Sequence, residues 1–177
     1  MTDIVQRDNP VLRRKAKEVP TGEIGSDHIQ AIINKMKTAV HSQKDGVAIA
    51  APQVGEPLRI FVVNRELLKK ADKKFKGDDD DMIFINPKIT KLSKDRRDME
   101  EGCLSVRWLY GRVKPASKAS ITAYDENGVV VKRGASGLLA QIFQHECDHL
   151  EGVLFTDKTK DVWEMTEEEI KELQSKA

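Results

Sequence analysis

The spacing of apolar positions changes several times along the chain. Between Ser26 and Gly46, Ile29, Ile32, Ile33, Met36 and Val40 recur at i, i+3, i+4 and i+7. This predicts an amphipathic helix capped by Ser26 or Asp27 and stopped by Gly46. Two continuous apolar runs, Leu58 to Asn64 and Met82 to Thr90, predict buried strands, the second ended or put at a sheet edge by Pro87. Val47, Ile49 and Ala50 form a shorter strand-like run. Ala119 to Arg133 carries two β-rich runs around Asn127-Gly128, a hairpin signal. Ser136 to Gly152 returns to a helical pattern, with Ser136 as cap and Gly152 as stop. A last short helix is predicted at about 166–176, where Thr166 and Glu169 make a capping box.

No internal repeat interrupts this order, and 177 residues suit a single domain spanning 1–177. The most biased stretch, about 69–81, sets five lysines before four aspartates. It reads as a charged loop inserted between strands, solvated or docking a charged partner. Lys+Arg 30 against Asp+Glu 29 gives a net charge of +1, which predicts neither a nucleic-acid partner nor an anionic membrane. No apolar run reaches the ~20 residues of a membrane span, and the first residues have neither a secretory h-region nor the acid-free character of a transit peptide. Two cysteines make no disulfide framework and suit a reducing compartment, where a thiol is more often a ligand or a nucleophile.

The chemistry concentrates in Gln144 to Gly152, QHECDHLEG, which contains His-Glu-x-x-His. On a helix His145 and His149 share one face and can share a metal. Glu146 lies just off that face, within reach of a metal-activated water. Cys147 points to the far side and reads as a packing residue. His28 and His41 fall on or beside the polar side of the first helix. A third ligand can come from three places. Gly152 fits a metzincin pattern, but Phe155 stands where that pattern has histidine. Glu164, Glu167, Glu168 or Glu169 could serve as in thermolysin-like enzymes. Cys103, in EEGCLSV, offers a thiolate suited to zinc or iron(II) and leaves a fourth position open. On the residues alone, Cys103 is as readily a buried packing thiol.

Three stretches occur in order at wide spacing: GVAIAAPQVG (46–55), EGCLS (101–105) and QHECDHLEG (144–152). Together they resemble the signature motifs of the peptide deformylase family, and the likeness runs from Asn9-Pro10-Val11-Leu12 to Leu154-Phe155. The resemblance implies an α+β fold of antiparallel strands around a metal-bearing helix. It implies Cys103, His145 and His149 as ligands of one divalent ion, usually iron(II), often replaced by nickel, cobalt or zinc. Glu146 would be the general base; the Gln53 side chain and the Leu104 backbone N–H would stabilise an oxyanion. The substrates would be formyl-methionine ends of new chains in the bacterial cytosol, with a transient ribosome contact through the C-terminal helix.

The apolar pocket for methionine would then use Val47, Leu138 and Ile142, and Glu101 would orient a neighbour or bond the substrate. Two departures stand out. Ala48 replaces a usual glycine whose backbone is expected to pair with the substrate. It is tolerated if extended and strained if φ is positive. Arg107-Trp108 follows CLSV where proline is common. A zinc endopeptidase with a downstream glutamate ligand, and a metal-stapled interaction domain with a closed site, remain as alternatives.

Overall fold

The computed structural model describes residues 3–78 and 80–175. Its framework is a five-stranded antiparallel sheet in the order β1-β2-β3-β6-β7, built from β1 (Ala48–Ala50), β2 (Ile60–Val63), β3 (Met82–Leu92), β6 (Lys118–Tyr124) and β7 (Val130–Ser136). A smaller antiparallel sheet, β4-β5-β8, joins Met99–Gly102, Leu109–Val113 and Val162–Glu164. Helix α1 (Asp27–His41) packs on β1 and β2, and helix α3 (Gly137–Leu150) packs on β1, β3, β6 and β7. The fold is therefore α+β.

The continuous apolar runs now have a reason. Successive strand residues face opposite sides. Phe61, Val63, Met82 and Phe84 join the core with Ala140, Phe143 and Cys147 of α3. Ile60, Val62, Ile83 and Ile85 join Ile29, Ile33 and Met36 of α1. A strand covered by a helix on each face has no polar side to show. Phe143 of α3 meets Phe84 edge-on, with ring centroids 5.2 Å apart, and Phe84 stacks on Phe61 at 4.7 Å.

Pro87 does not end β3, as one reading of the sequence expected; it sits in a bulge. Asn86 has φ +51°, and the pairing with β6 shifts register between Ile85 and Lys88. The bulge flips the phase, so Ile89 packs on the same core as Phe84 although the two are an odd number of positions apart. The Asn86 side chain fixes the kink by accepting from the Val19 N–H and donating to the Val19 carbonyl, each at 2.8 Å.

Helix ends differ slightly from expectation. Ser26 caps α1, its Oγ accepting from the Ile29 N–H, but the helix stops at His41, before Gly46. Ser136 occupies the N-cap of α3 without a side-chain capping bond. Gly152 does terminate the α3 region. Its φ is +77°, and a Cβ there would lie 2.7 Å from the Arg13 carbonyl, so the position admits only glycine. The 119–133 hairpin forms, with β6 and β7 joined through Asp125–Val129 and Gly128 at φ +79°.

The charged segment begins inside a helix, α2 (Arg65–Ala71), which the sequence reading took as loop. Beyond it Lys73, Lys74 and Lys76 are exposed, but Phe75 packs on the core, Asp78 pairs with Arg65, and Asp81 meets His41 Nε2 at 2.9 Å. Asp79 lies outside the described residues. The last helix, α4 (Glu167–Ser175), opens with the expected box: the Thr166 N–H donates to Glu169 Oε2 at 2.8 Å and the Glu169 N–H to Thr166 Oγ1 at 3.3 Å. Residues 176 and 177 lie outside the described residues. No helix among those described is long and apolar enough to cross a membrane.

Candidate functional site

Helix α3 is buried over most of its length, and that fixes the two histidines. Phe143, Cys147 and Leu150 lock one side into the core. The other side carries Gln141, His145 and His149 at successive turns. Strand β4 delivers the remaining donor: Glu101 pairs with Gly111 and Gly102 with Tyr110, and Cys103 follows directly. A side chain on Gly102 would run into the Tyr110 ring, with a Cβ 2.6 Å from Cε1, so glycine lets β5 lie close against the ligand strand.

The Cys103 sulfur and one nitrogen from each of His145 and His149 lie within 4.8 Å of one another. Cys103 Sγ is 3.2 Å from His149 Nε2. Tetrahedral zinc with its ordinary bond lengths sets donors roughly 3.5 Å apart, so these three atoms fit one small ion with little movement. The donor set, one thiolate and two imidazoles, suits zinc, iron(II), cobalt or nickel. Glu164, Glu167, Glu168 and Glu169 are not part of this group among the described residues; all four are exposed. The group supplies three protein donors, which leaves a position open to a small molecule.

The surrounding residues orient these donors. Glu101 Oε1 is 2.5 Å from His145 Nδ1, which turns the ring so that Nε2 faces the cluster. Gln141 Nε2 in turn donates to Glu101 Oε2 at 3.1 Å and to the Glu100 carbonyl at 2.9 Å. Burial pulls the His145 pKa down, but hydrogen bonds with Cys103 and Glu101 outweigh it and hold the value well above the ordinary one. Burial, followed by the His145 charge, pushes His149 well below its ordinary value. Burial raises the Glu101 pKa; its bonds from His145 and Gln141 prevail and leave it low. Cys147 faces the core, and burial pushes its thiol up to about 12.

The cluster lies in a cleft of about 200 Å³. Val47, Ala48, Leu138 and Ile142 line it with apolar surface; Gln53, Glu101, Leu104 and Glu146 line it as well. Glu146 is 3% exposed, its Oε2 has no hydrogen-bond partner, and burial lifts its pKa to about 7. A buried, unpaired carboxylate oxygen is costly unless a ligand or water meets it.

Gln53 sits in a short 3-10 turn, Ala51–Val54, begun by Pro52 after Ala50. Its Oε1 accepts from the Ala50 N–H at 2.8 Å. This aims Nε2 at Ser105 Oγ (3.2 Å) and Cys103 Sγ (3.6 Å). The Ser105 N–H also donates to Cys103 Sγ at 3.5 Å. Ala48 lies in β1, paired with Val63 of β2, and is not among the positive-φ residues, so the extended alternative holds.

The structure brings the eleven candidate residues together: ten line the cleft, and His149, 1% exposed, joins them through the Cys103–His145–His149 group. Sequence reasoning missed Gln141, although this residue stands one turn before His145 on the same face. It missed Ser105 and Tyr110, for which the sequence offered no signal beyond proximity to Cys103.

A model of the polypeptide deformylase family matches residues 1–164. Peptide deformylase 1A, chloroplastic/mitochondrial, of Arabidopsis thaliana is 41% identical over 169 residues, covering 89% of this chain and 61% of that protein. A peptide deformylase of Treponema pallidum is 39% identical over 139 residues, covering 78% of this chain and 77% of that one. The chain spans 53–61% of the length of the plant relatives it matches. Among solved structures, a peptide deformylase from Synechococcus elongatus in complex with actinonin superposes with a TM-score of 0.77 at 34% identity, covering 99% of this chain and 85% of that one. With its three separated motifs folded into one cleft and a family match over nearly its whole length, the chain belongs to the polypeptide deformylase family.

Proposed function

We propose that this chain is a metal-dependent hydrolase that removes the formyl group from the N-terminal methionine of newly made polypeptides and releases formate. Residues 1–177 would act as a single catalytic domain in the bacterial cytosol, meeting its substrates during synthesis through a transient ribosome contact. The observation that carries this reading is the buried, unpartnered Oε2 of Glu146, a residue that lines the cleft beside the Cys103–His145–His149 group.

Those three residues would hold one divalent ion, iron(II) in the cell, with zinc, nickel or cobalt as substitutes. When bound, the ion supplies Lewis acidity that brings the pKa of a water towards ~7. Glu146 accepts a proton from the attacking water and returns one to the methionine nitrogen as the formyl C–N bond breaks. The water oxygen leaves in formate. Gln53 donates through Nε2 to the formyl oxygen as it gains charge, and the Leu104 N–H is the second donor. Val47, Leu138 and Ile142 take the methionine side chain.

The test is formate release from formyl-Met-Ala-Ser. Cleavage of unformylated peptides at internal bonds, without formate, would instead favour an endopeptidase. Gln53→Ala should lower kcat by roughly 10²–10³ with a smaller change in KM, because the oxyanion exists only near the transition state; steady-state kinetics would reveal the opposite split if Gln53 served only ground-state binding. Ala48 pairs in an extended strand, so restoring glycine relieves no strain. Ala48→Gly should change kcat/KM by no more than about tenfold, ~1.4 kcal/mol in barrier, and a hundredfold gain would contradict this account of the strand.

A further inference from the structure

Resting on the deformylase reading, we infer that Arg107, paired with Asp45 across the cleft mouth, is a positioning residue that sets how the substrate chain beyond methionine is held. The direction of that chain follows from burial. A peptide paired along β1 with its formyl end at the cluster can run past Ala50 or past Asp45. The first way is closed: Ala50 and Ala51 are fully buried and Gln53 is 1% exposed. The chain therefore leaves past Asp45, which lines the cleft together with Arg107 and Trp108.

There the two walls are tied. The Arg107 guanidinium pairs with both carboxylate oxygens of Asp45 and donates to Gln43 Oε1 at 2.8 Å. Its Cζ lies 4.6 Å from the centroid of the Trp108 ring, and the Trp108 carbonyl is held by the Met165 N–H at 3.0 Å. The Arg107 N–H donates to Gln6 Oε1 at 3.4 Å, while Gln6 Nε2 donates to the Leu104 carbonyl at 3.1 Å. Side-chain exposures of 18% for Arg107 and 21% for Asp45 set this ion pair apart from a solvent-screened surface pair. A planar fork on a carboxylate, backed by an indole, holds one geometry better than lysine could. It fixes the segment after Cys103 relative to the segment before β1, and so the width of the passage between them.

The test uses formyl-Met and formyl-Met-Ala-Ser side by side, with Arg107→Ala, Asp45→Asn and the double variant. On the longer substrate each single variant should raise KM roughly tenfold with kcat within about threefold, and the double variant should be no worse than either single one. On formyl-Met, which has no chain beyond the methionine, the change should be under threefold. Calorimetric binding of Met-Ala-Ser should weaken in parallel. Equal losses on both substrates, losses confined to kcat, or additive effects in the double variant would overturn the inference. Should Arg107→Ala fail to fold, Asp45→Asn carries the same comparison. A wild-type protein releasing no formate would sink the deformylase reading, while the peptide-binding arm would still decide the role of Arg107.

Discussion

Glu146→Gln should leave the fold and the metal content intact and lower kcat for formyl-Met peptides by about 10⁴ or more. General acid–base catalysis alone accounts for roughly 10²–10⁴. Glu146 would serve in both directions, taking a proton from water and giving one to the leaving amine, so its loss falls at or beyond the upper end. The glutamine is isosteric, and Glu146 Oε2 has no protein hydrogen bond to lose. Circular dichroism and metal analysis should therefore match wild type. A variant that keeps near-native kcat would remove Glu146 from the reaction.

Cys103→Ser should abolish stoichiometric metal binding and, with it, formate release. A serine hydroxyl is not ionised at neutral pH and is a poor ligand for zinc or iron(II) beside a thiolate. The rest of the site would persist, because His145 is held by Glu101 and His149 is 1% exposed within the packed face of α3. Metal content after gel filtration is the direct measurement. A variant retaining one metal per chain would mean that the ion is held without the thiol, as the endopeptidase alternative requires.

Much of this site was legible because its signals are local. His145 and His149 share a helix face by their spacing alone, and Gly152 marks the helix end by a backbone that only glycine adopts. The buried strands β2 and β3 were legible from their unbroken apolar runs. What was hidden depends on contacts distant in sequence. Strands β5 and β8 pair Tyr110 with Trp163, residues more than fifty positions apart, in runs too short and mixed to show a period. Helix α2 is seven residues long, and its lysines looked like part of a charged loop. The 2.5 Å contact of Glu101 with His145, across 44 positions of sequence, was likewise out of reach of any local pattern.

Strand β1 stands at the edge of the larger sheet and lines the cleft. An edge strand is a template for unwanted pairing, and proteins blunt such edges with charge, bulges or cover. Here the edge carries Ala48, Ile49 and Ala50, with no charge of its own. Its shield is the loop after Cys103, fastened across the mouth by Arg107 and Asp45. The strand is thus open to a single extended chain threading the passage and closed to the broad edge of a second sheet. If a substrate chain takes this recess, the residues that leave room for it would be the same ones that keep a second sheet off the edge, so solubility and catalysis would be constrained at the same few positions.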